Sequence, residues 1–273
     1  MQIVSEISSY NSLKKRLKEI AQFKELLYFF AWKDIRVKYK QAFLGFAWAV
    51  LQPFLLMLVF TMLAKAISLK TENIPYPVYS FAGIIFWNIF ATSVQSAGNA
   101  VVSNAHIIKK IFFPKLFLPI SSVIVSIFDF LVALLVLFAL IIYYYPITSI
   151  SWNALYLIPA LVLVAITSIG AGVFFSALNV KYRDFKYIIP FIIQLGFFAS
   201  PIIYQPLSFD NDIANFFYNT NPFVASMALI RYACFNISFS TEILIPGIVS
   251  SIFILIIGFF VFFKMEKNFA DIA

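Results

Sequence analysis

The chain has 273 residues, of which 62% are hydrophobic and only 12% are charged, and its mean hydropathy is +0.93. A soluble domain of this size carries about 25% charged residues, so this composition excludes a water-soluble protein and predicts an integral membrane protein. The single cysteine and the single histidine exclude an internal disulfide and a conventional zinc site, and the net charge of +8 requires an explanation from topology.

The first 40 residues predict a cytoplasmic tail followed by an amphipathic helix that lies in the membrane interface. Apolar residues recur at three- and four-residue steps from Leu13 to Phe30, with charged and amide side chains between them. No signal peptide is expected, since the first residues are polar and the following ones are basic and amphipathic. The helix is interpreted chiefly as a membrane-surface anchor, and alternatively as the border of an entry route for substrate.

Apolar runs long enough to cross a bilayer predict six spans within residues 41–265. The run 116–180 is too long for one helix, and it divides where an aromatic cluster meets Pro146. The expected spans cover about 42–65, 78–101, 117–143, 154–178, 187–206 and 243–263.

The run 213–230 predicts a re-entrant or interfacial segment rather than a seventh span. It is short, and it is interrupted by asparagines and by Pro222. A seventh span would also disturb the distribution of positive charge described next. Residues 266–273 are expected to form a cytoplasmic tail.

Seventeen of the 20 basic residues fall in residues 1–40, in the connections 102–116 and 179–186, and in the C-terminal tail. Positive residues accumulate on the cytoplasmic side of membrane proteins, so both termini are predicted to be cytoplasmic. The predicted fold class is therefore an all-α integral membrane protein with six transmembrane helices, an N-terminal amphipathic interfacial helix, and a re-entrant helical segment between spans five and six. The positive charge is a topology signal, and nucleic-acid binding is not expected.

The sequence carries no nucleotide-binding or catalytic motif of its own. None of the eight glycines is followed by lysine, which excludes a phosphate-binding P-loop, and neither a zinc-protease motif nor a nucleophile elbow is present. The carboxylates of the outer connections are scattered, which disfavours a membrane enzyme of glycan assembly. We expect no bound metal or cofactor and no enzymatic activity in this chain.

Asp129 is the one charged residue in the interior of the predicted spans. A carrier driven by protons or sodium ions usually needs several such groups, so a single carboxylate gives little support to that class. We interpret Asp129 as paired with a buried polar group, although the sequence names no partner, and alternatively as a substrate contact.

Two spans carry polar or small residues that must pack against helices or line a wet cavity. In the fourth span the four-residue spacing favours close helix packing over substrate contact. The residues in question are Ser93, Ser96 and Asn99 in the second span, and Ser168, Gly172 and Ser176 in the fourth.

Four blocks of sequence identify a family. They are residues 32–53, residues 104–119, residues 178–184 with Ser200-Pro201-Ile202-Ile203-Tyr204, and Asn221-Pro222-Phe223 with Arg231. In this order and spacing they closely resemble the membrane permease of ABC type-2 exporters for bacterial polysaccharides and polyol phosphates, the O-antigen, capsule and teichoic acid transporters. The resemblance covers about residues 25–273.

The resemblance implies a multi-pass protein of the bacterial cytoplasmic (inner) membrane that works as a homodimer with two copies of a separate ABC ATPase. ATP and Mg would be used by that ATPase. The implied substrate is a lipid-linked glycan, commonly carried on undecaprenyl diphosphate, and re-entrant helices would lie at the outer mouth. An ABC type-2 permease for a drug or lipid is the alternative.

The second and third blocks are expected to contact the ATPase. A short basic and apolar helix closed by a proline is suited to dock into an ATPase groove, whereas an ordinary basic loop would leave the adjacent phenylalanines as an unexplained apolar patch. The expected contact residues are His106, Ile108, Lys109, Lys110, Phe112, Phe113 and Pro114, with Lys181, Arg183 and Asp184 as a second contact. An ion pair between the last two would fix their loop.

The first block places cationic side chains where a diphosphate headgroup would meet the membrane interface. Arginine offers a forked contact to phosphate and lysine a point charge, although positive-inside anchoring explains the same residues equally well. The candidate headgroup or gate residues are Arg36, Lys38, Tyr39, Lys40 and Gln52, and the last is expected to face the conduit.

Overall fold

The computed structural model describes residues 23–40, 45–68, 71, 74–111, 113–145, 152–266 and 269. These ranges are built from helices and contain no strand, which confirms the predicted all-α class. The helices are α1 (Lys24–Lys40), α2 (Ala47–Ala66), α3 (Tyr76–Ser103), α4 (Ala105–Ile108), α5 (Phe117–Tyr144), α6 (Leu157–Lys181), α7 (Phe185–Ala199), α8 (Asp212–Asn219), α9 (Pro222–Phe235) and α10 (Thr241–Met265), with a 3-10 turn at Trp152–Tyr156 before α6.

Five of these helices are long and apolar enough to cross a membrane, as expected for a multi-pass protein. They are α2, α3, α5, α6 with its preceding 3-10 turn, and α10. The segment predicted as the fifth span, 187–206, is helical only in α7, which has 15 residues and is about 22 Å long. The helix ends there because Ser200, which precedes Pro201, takes an extended backbone.

The segment 213–230 forms two helices rather than one. The chain turns at Asn221, whose side chain accepts a hydrogen bond of 3.0 Å from the backbone N–H of Phe223, and Pro222 occupies the first position of α9. Asparagine caps and first-turn prolines both favour the start of a new helix. Neither α8 nor α9 is a candidate span. The re-entrant course of the segment 213–230 stays a prediction.

The central helix of the bundle is α3, which is largely buried and packs along α5 and α6. The predicted small-residue stripe of α6 lies at the contact with α3. A Cβ atom added to Gly172 would lie 2.9 Å from the Cβ of Ala97, and the side chains of Ser168 and Ser176 are fully buried. The stripe therefore packs helices within one subunit.

A second close approach joins α6 to α10. A Cβ atom on Gly258 would lie 2.2 Å from the carbonyl oxygen of Gly170, so only glycine lets the two backbones come this near. The hydroxyl of Thr167 also donates to the hydroxyl of Ser251 across the same pair of helices, at 3.1 Å.

Candidate functional site

Asp129 lies in the long helix α5, and its partners come from the last turn of α1. Its carboxylate forms an ion pair with the ammonium group of Lys38 and accepts a hydrogen bond from the hydroxyl of Tyr39. The side chain of Asp129 is 15% exposed and that of Lys38 is 44% exposed, so the pair sits at the edge of the buried region. Asp129 was expected to pair with a buried polar group, and it has two polar partners. Both of them, Lys38 and Tyr39, were predicted to bind the substrate headgroup or to form the gate.

Tyr39 is fixed in place by aromatic packing. Its ring stacks on that of Phe46 with a centroid distance of 4.2 Å, and the ring of Phe128 lies 6.1 Å away. Burial, followed by the hydrogen bond to Asp129, raises the pKa of Tyr39 above its usual range, so its hydroxyl stays protonated and donates. The turn into α2 includes Gly45, whose φ of 44° lies in the region that favours glycine.

The Lys38–Asp129 pair borders a pocket of about 90 Å³ between α1, α2, α3 and α5. This is room for several water molecules. The pocket wall combines the apolar side chains of Trp48, Ala49, Pro53, Ile85, Ile89, Phe130 and Ala133 with the polar side chains of Lys38, Gln52, Asn88, Thr92, Ser126 and Asp129.

Four polar side chains of this wall are already engaged, Lys38 with Asp129 and Thr92 with Ser126, and two are available. Thr92 donates to Ser126 at 2.9 Å across the α3–α5 contact. The carboxamides of Gln52 and Asn88 make no hydrogen bond to any described residue, so they can bind a solute. Sequence reasoning had missed Asn88 and Ser126; the four-residue spacing of Asn88 and Thr92 along α3 was the available signal.

The five residues predicted to form one headgroup or gate site lie on two different sides of α1, and Gln52 itself belongs to α2. Lys38, Tyr39 and Gln52 belong to the pocket side, whereas Arg36 and Lys40 line a separate groove of about 350 Å³ on the outward side. The guanidinium of Arg36 lies over the ring of Trp32, 5.2 Å from its centroid.

The predicted ATPase-coupling block contains the single-turn helix α4. His106, Lys109 and Lys110 are exposed, Ile108 is buried, and Pro114 is half-buried. Phe112 lies outside the described residues.

Phe113 is buried rather than exposed as an apolar patch, with 4% exposure. Its ring lies 5.3 Å from that of Phe30 in α1. It belongs to a buried cluster that also holds Phe117 and Phe262, and this packing explains the apolar residue among lysines.

Lys181, Arg183 and Asp184 are all exposed at the turn between α6 and α7. The expected ion pair between Arg183 and Asp184 is absent from this described stretch. The turn is held instead by backbone hydrogen bonds, in which the carbonyl of Asp184 accepts from the N–H of Tyr187 at 2.9 Å. The Lys181 ammonium lies over the ring of Tyr182, 4.9 Å from its centroid.

The remaining predicted residues of α3 differ in environment. Ser93 is buried, Ser96 is exposed, and Asn99 is half-buried. The side-chain amide of Asn179 in α6 donates to the carbonyl of Gly98 at 2.8 Å and to the side-chain oxygen of Asn99 at 3.2 Å. Asn99 therefore helps to join α3 to α6.

Arg231 organises the opposite end of the bundle, a role that sequence reasoning had not assigned. It is 5% exposed, and its guanidinium donates to the carbonyl oxygens of Pro201 and Tyr204, the latter at 2.7 Å. The guanidinium also lies over the ring of Tyr79, 4.6 Å from its centroid. A lone arginine in an otherwise uncharged helix was the signal in the sequence.

Comparisons with known proteins place these features in one family. The family model described as ABC-2 type transporter matches residues 25–235. The O-antigen export system permease protein RfbA of Myxococcus xanthus is 31% identical over 217 residues, covering 77% of this chain and 80% of that protein. The protein of the same name from Klebsiella pneumoniae is 27% identical over 241 residues, covering 88% of this chain and 92% of that protein. The chain belongs to the ABC-2 type transporter family.

Proposed function

We propose that this chain is the transmembrane subunit of an ATP-driven exporter that moves a lipid-linked polysaccharide of the O-antigen type across the bacterial cytoplasmic membrane. The observation that carries this proposal is the match over most of the chain to two proteins named O-antigen export permeases. The chain has no nucleotide-binding motif, so ATP and Mg are assigned to a separate ATPase.

The proposed assembly is a homodimer with two ATPase subunits. In it, α7 serves as the fifth span and α10 as the sixth, α8 and α9 form the re-entrant segment between them, and both termini are cytoplasmic. The distribution of basic residues supports this orientation. The outer surfaces of α2, α7 and α10 expose large apolar side chains, which suits contact with lipid and with a second subunit.

The exposed basic residues next to α4 are proposed to dock on the ATPase. Because Phe113 packs against Phe30, a displacement of the connection between α3 and α5 would also push on α1. The ion pair with Asp129 lies two turns further along α1, at Lys38. This packing supports a route by which ATPase movement reaches the pocket.

The pocket is proposed to receive the anionic headgroup of the substrate lipid. Lys38 supplies the cation, and Gln52 and Asn88 supply free hydrogen-bonding groups. The Lys38–Asp129 pair represents a closed arrangement, because the charge of Lys38 is already balanced by the carboxylate. A diphosphate would therefore compete with Asp129 for Lys38.

Co-purification with the ATPase in detergent tests the proposal. The wild type is expected to yield a complex of two permeases and two ATPases, and Lys109→Glu/Lys110→Glu is expected to lose it. Lys65→Glu is the control, since this exposed lysine lies at the far end of α2. No complex from membranes that contain folded protein would contradict the exporter assignment. A complex that transports a drug or lipid but no glycan would contradict the polysaccharide assignment.

A further inference from the structure

The outward face of α1 carries a groove that the proposed export cycle does not use. Its volume is about 350 Å³, and it lies on the opposite side of the helix from the pocket at Asp129. The groove is lined by Phe29, Trp32, Lys33, Arg36, Val37 and Lys40. Apolar and cationic side chains therefore share one helix face.

The apolar part of this groove is exposed to an unusual degree. The side chains of Phe29 and Val37 are 60% and 62% exposed, and Trp32 is 40% exposed. Tyr28 stacks on Trp32 at a centroid distance of 6.3 Å. Exposed aromatic side chains of this kind are stable where a bilayer meets water, because the ring contacts acyl chains and its polar edge stays hydrated.

The cationic part of the groove has charge without a counterion. Lys33 pairs with Asp34 at 3.3 Å, but no carboxylate of the described chain lies within salt-bridge distance of Arg36 or Lys40. These two residues are one helical turn apart, so their side chains rise from the same face. An arginine fork and a lysine point charge at this spacing suit a single phosphate group.

We propose that this groove binds an anionic glycerophospholipid of the membrane, with its phosphate between Arg36 and Lys40 and its acyl chains along Phe29, Trp32 and Val37. A phosphate here does not reach the pocket, since Lys38 lies about 200° around the helix from Arg36. The occupant is therefore a permanent membrane lipid and not the substrate in transit. The inference rests on the interfacial placement of α1 predicted from the sequence, and it is independent of which glycan is exported.

Quenching of tryptophan fluorescence by brominated lipids tests this site in the full transporter. The chain and its ATPase are reconstituted with dibrominated phosphatidylglycerol or dibrominated phosphatidylcholine at increasing mole fraction. The chain has four tryptophans, so the contribution of Trp32 is taken as the difference between wild type and Trp32→Phe. The expected result is half-maximal quenching of Trp32 at a mole fraction at least about fivefold lower for phosphatidylglycerol.

Two matched variants assign the preference to the groove. Arg36→Gln/Lys40→Gln is expected to bring the ratio of the two lipids close to one. Lys65→Gln/Lys264→Gln removes the same number of positive charges from exposed positions on α2 and α10 and is expected to keep the wild-type ratio. The wild-type ratio is itself a test, so the proposal can fail even if a variant does not fold.

Three results would overturn the proposal. Equal quenching by both lipids would exclude a selective anionic site. Absence of quenching by either lipid would show that a second protein copy covers the face or that α1 is not interfacial. Displacement of brominated phosphatidylglycerol by an equimolar amount of undecaprenyl diphosphate would make the groove a substrate site. Glycan export is measured separately on the same samples, so failure of the lipid site and failure of the exporter assignment are distinguishable.

Discussion

Replacing Asp129 by asparagine is expected to weaken the fold and, at the same time, to strengthen binding of the substrate headgroup. The two effects have opposite signs because Asp129 stabilises the docked position of α1 while it competes for Lys38. A residue with a purely structural role would produce only the first effect.

The stability loss follows from the exposure of the pair. Lys38 is 44% exposed and can turn to water, so loss of the ion pair costs about 1 kcal/mol or less. Asparagine keeps an acceptor for the hydroxyl of Tyr39 but removes its charge, which costs about 1 kcal/mol more. For a chain of this length the sum lowers the apparent Tm by a few degrees, roughly 2–4 °C per kcal/mol.

The binding gain follows from removal of the competing carboxylate. If the headgroup no longer has to displace an anion worth about 1 kcal/mol, its apparent affinity rises about fivefold. The assay is the concentration of lipid-linked glycan that half-maximally stimulates ATP hydrolysis by the reconstituted complex. Lys38→Gln is expected to raise this concentration, and the double variant is expected to behave like Lys38→Gln alone.

The matched control is Asp210→Asn, which makes the same change at an exposed carboxylate before α8. It is expected to leave both the apparent Tm and the half-maximal concentration unchanged. An Asp129→Asn variant that needs as much substrate as the wild type, or more, would refute the competition between carboxylate and headgroup, even if its stability falls as expected.

Three further substitutions probe contacts away from the pocket. Gly258→Ala places a methyl group against the backbone of Gly170 and is expected to lower the free energy of unfolding by about 1–3 kcal/mol. A decrease in Tm as small as that of Ser250→Ala would show that α6 and α10 can move apart to accommodate the methyl group. Arg231→Met leaves the buried carbonyl of Pro201 without its donor and removes one of two donors to the carbonyl of Tyr204. Limited proteolysis of the 205–211 connection is therefore expected to speed up severalfold, and an unchanged rate would contradict a role of Arg231 in holding that connection. Phe113→Ala removes the ring that packs on Phe30 and is expected to lower the free energy of unfolding by about 3 kcal/mol. Substrate-stimulated ATP hydrolysis is expected to fall while the ATPase still co-purifies. Loss of co-purification would instead make Phe113 part of the docking surface.

Long apolar runs made most of the helices predictable, because their length is set by the thickness of a bilayer. The end of α7 was harder to predict from the sequence, since a proline can either end a helix or lie inside one. Here α7 ends before Pro201, because Ser200 has an extended backbone. The division of 213–230 at Asn221 followed a recognisable cap and proline, which explains why no seventh span was expected.

The candidate site was predictable residue by residue but not as a constellation. Lys38, Tyr39 and Asp129 were each singled out, yet a contact across 91 positions depends on how α1 packs against α5, which no local pattern encodes. The separation of Arg36 and Lys40 from Lys38 was in principle readable, because residues four apart share a helix face and residues two apart do not.

The counterion of Asp129 belongs to α1, and this constrains how α1 can move. A carboxylate inside a membrane span is costly unless it is paired, and the partners of Asp129 come from α1, which precedes the spans, rather than from another span. The charge balance of α5 therefore depends on α1 remaining docked. Any displacement of α1 must be accompanied by a water-filled pocket or another cation at Asp129, or else it carries the cost of an unpaired charge. The polar wall of Gln52 and Asn88 beside the carboxylate admits water, so we expect the pocket to open and Asp129 to become hydrated in the same event.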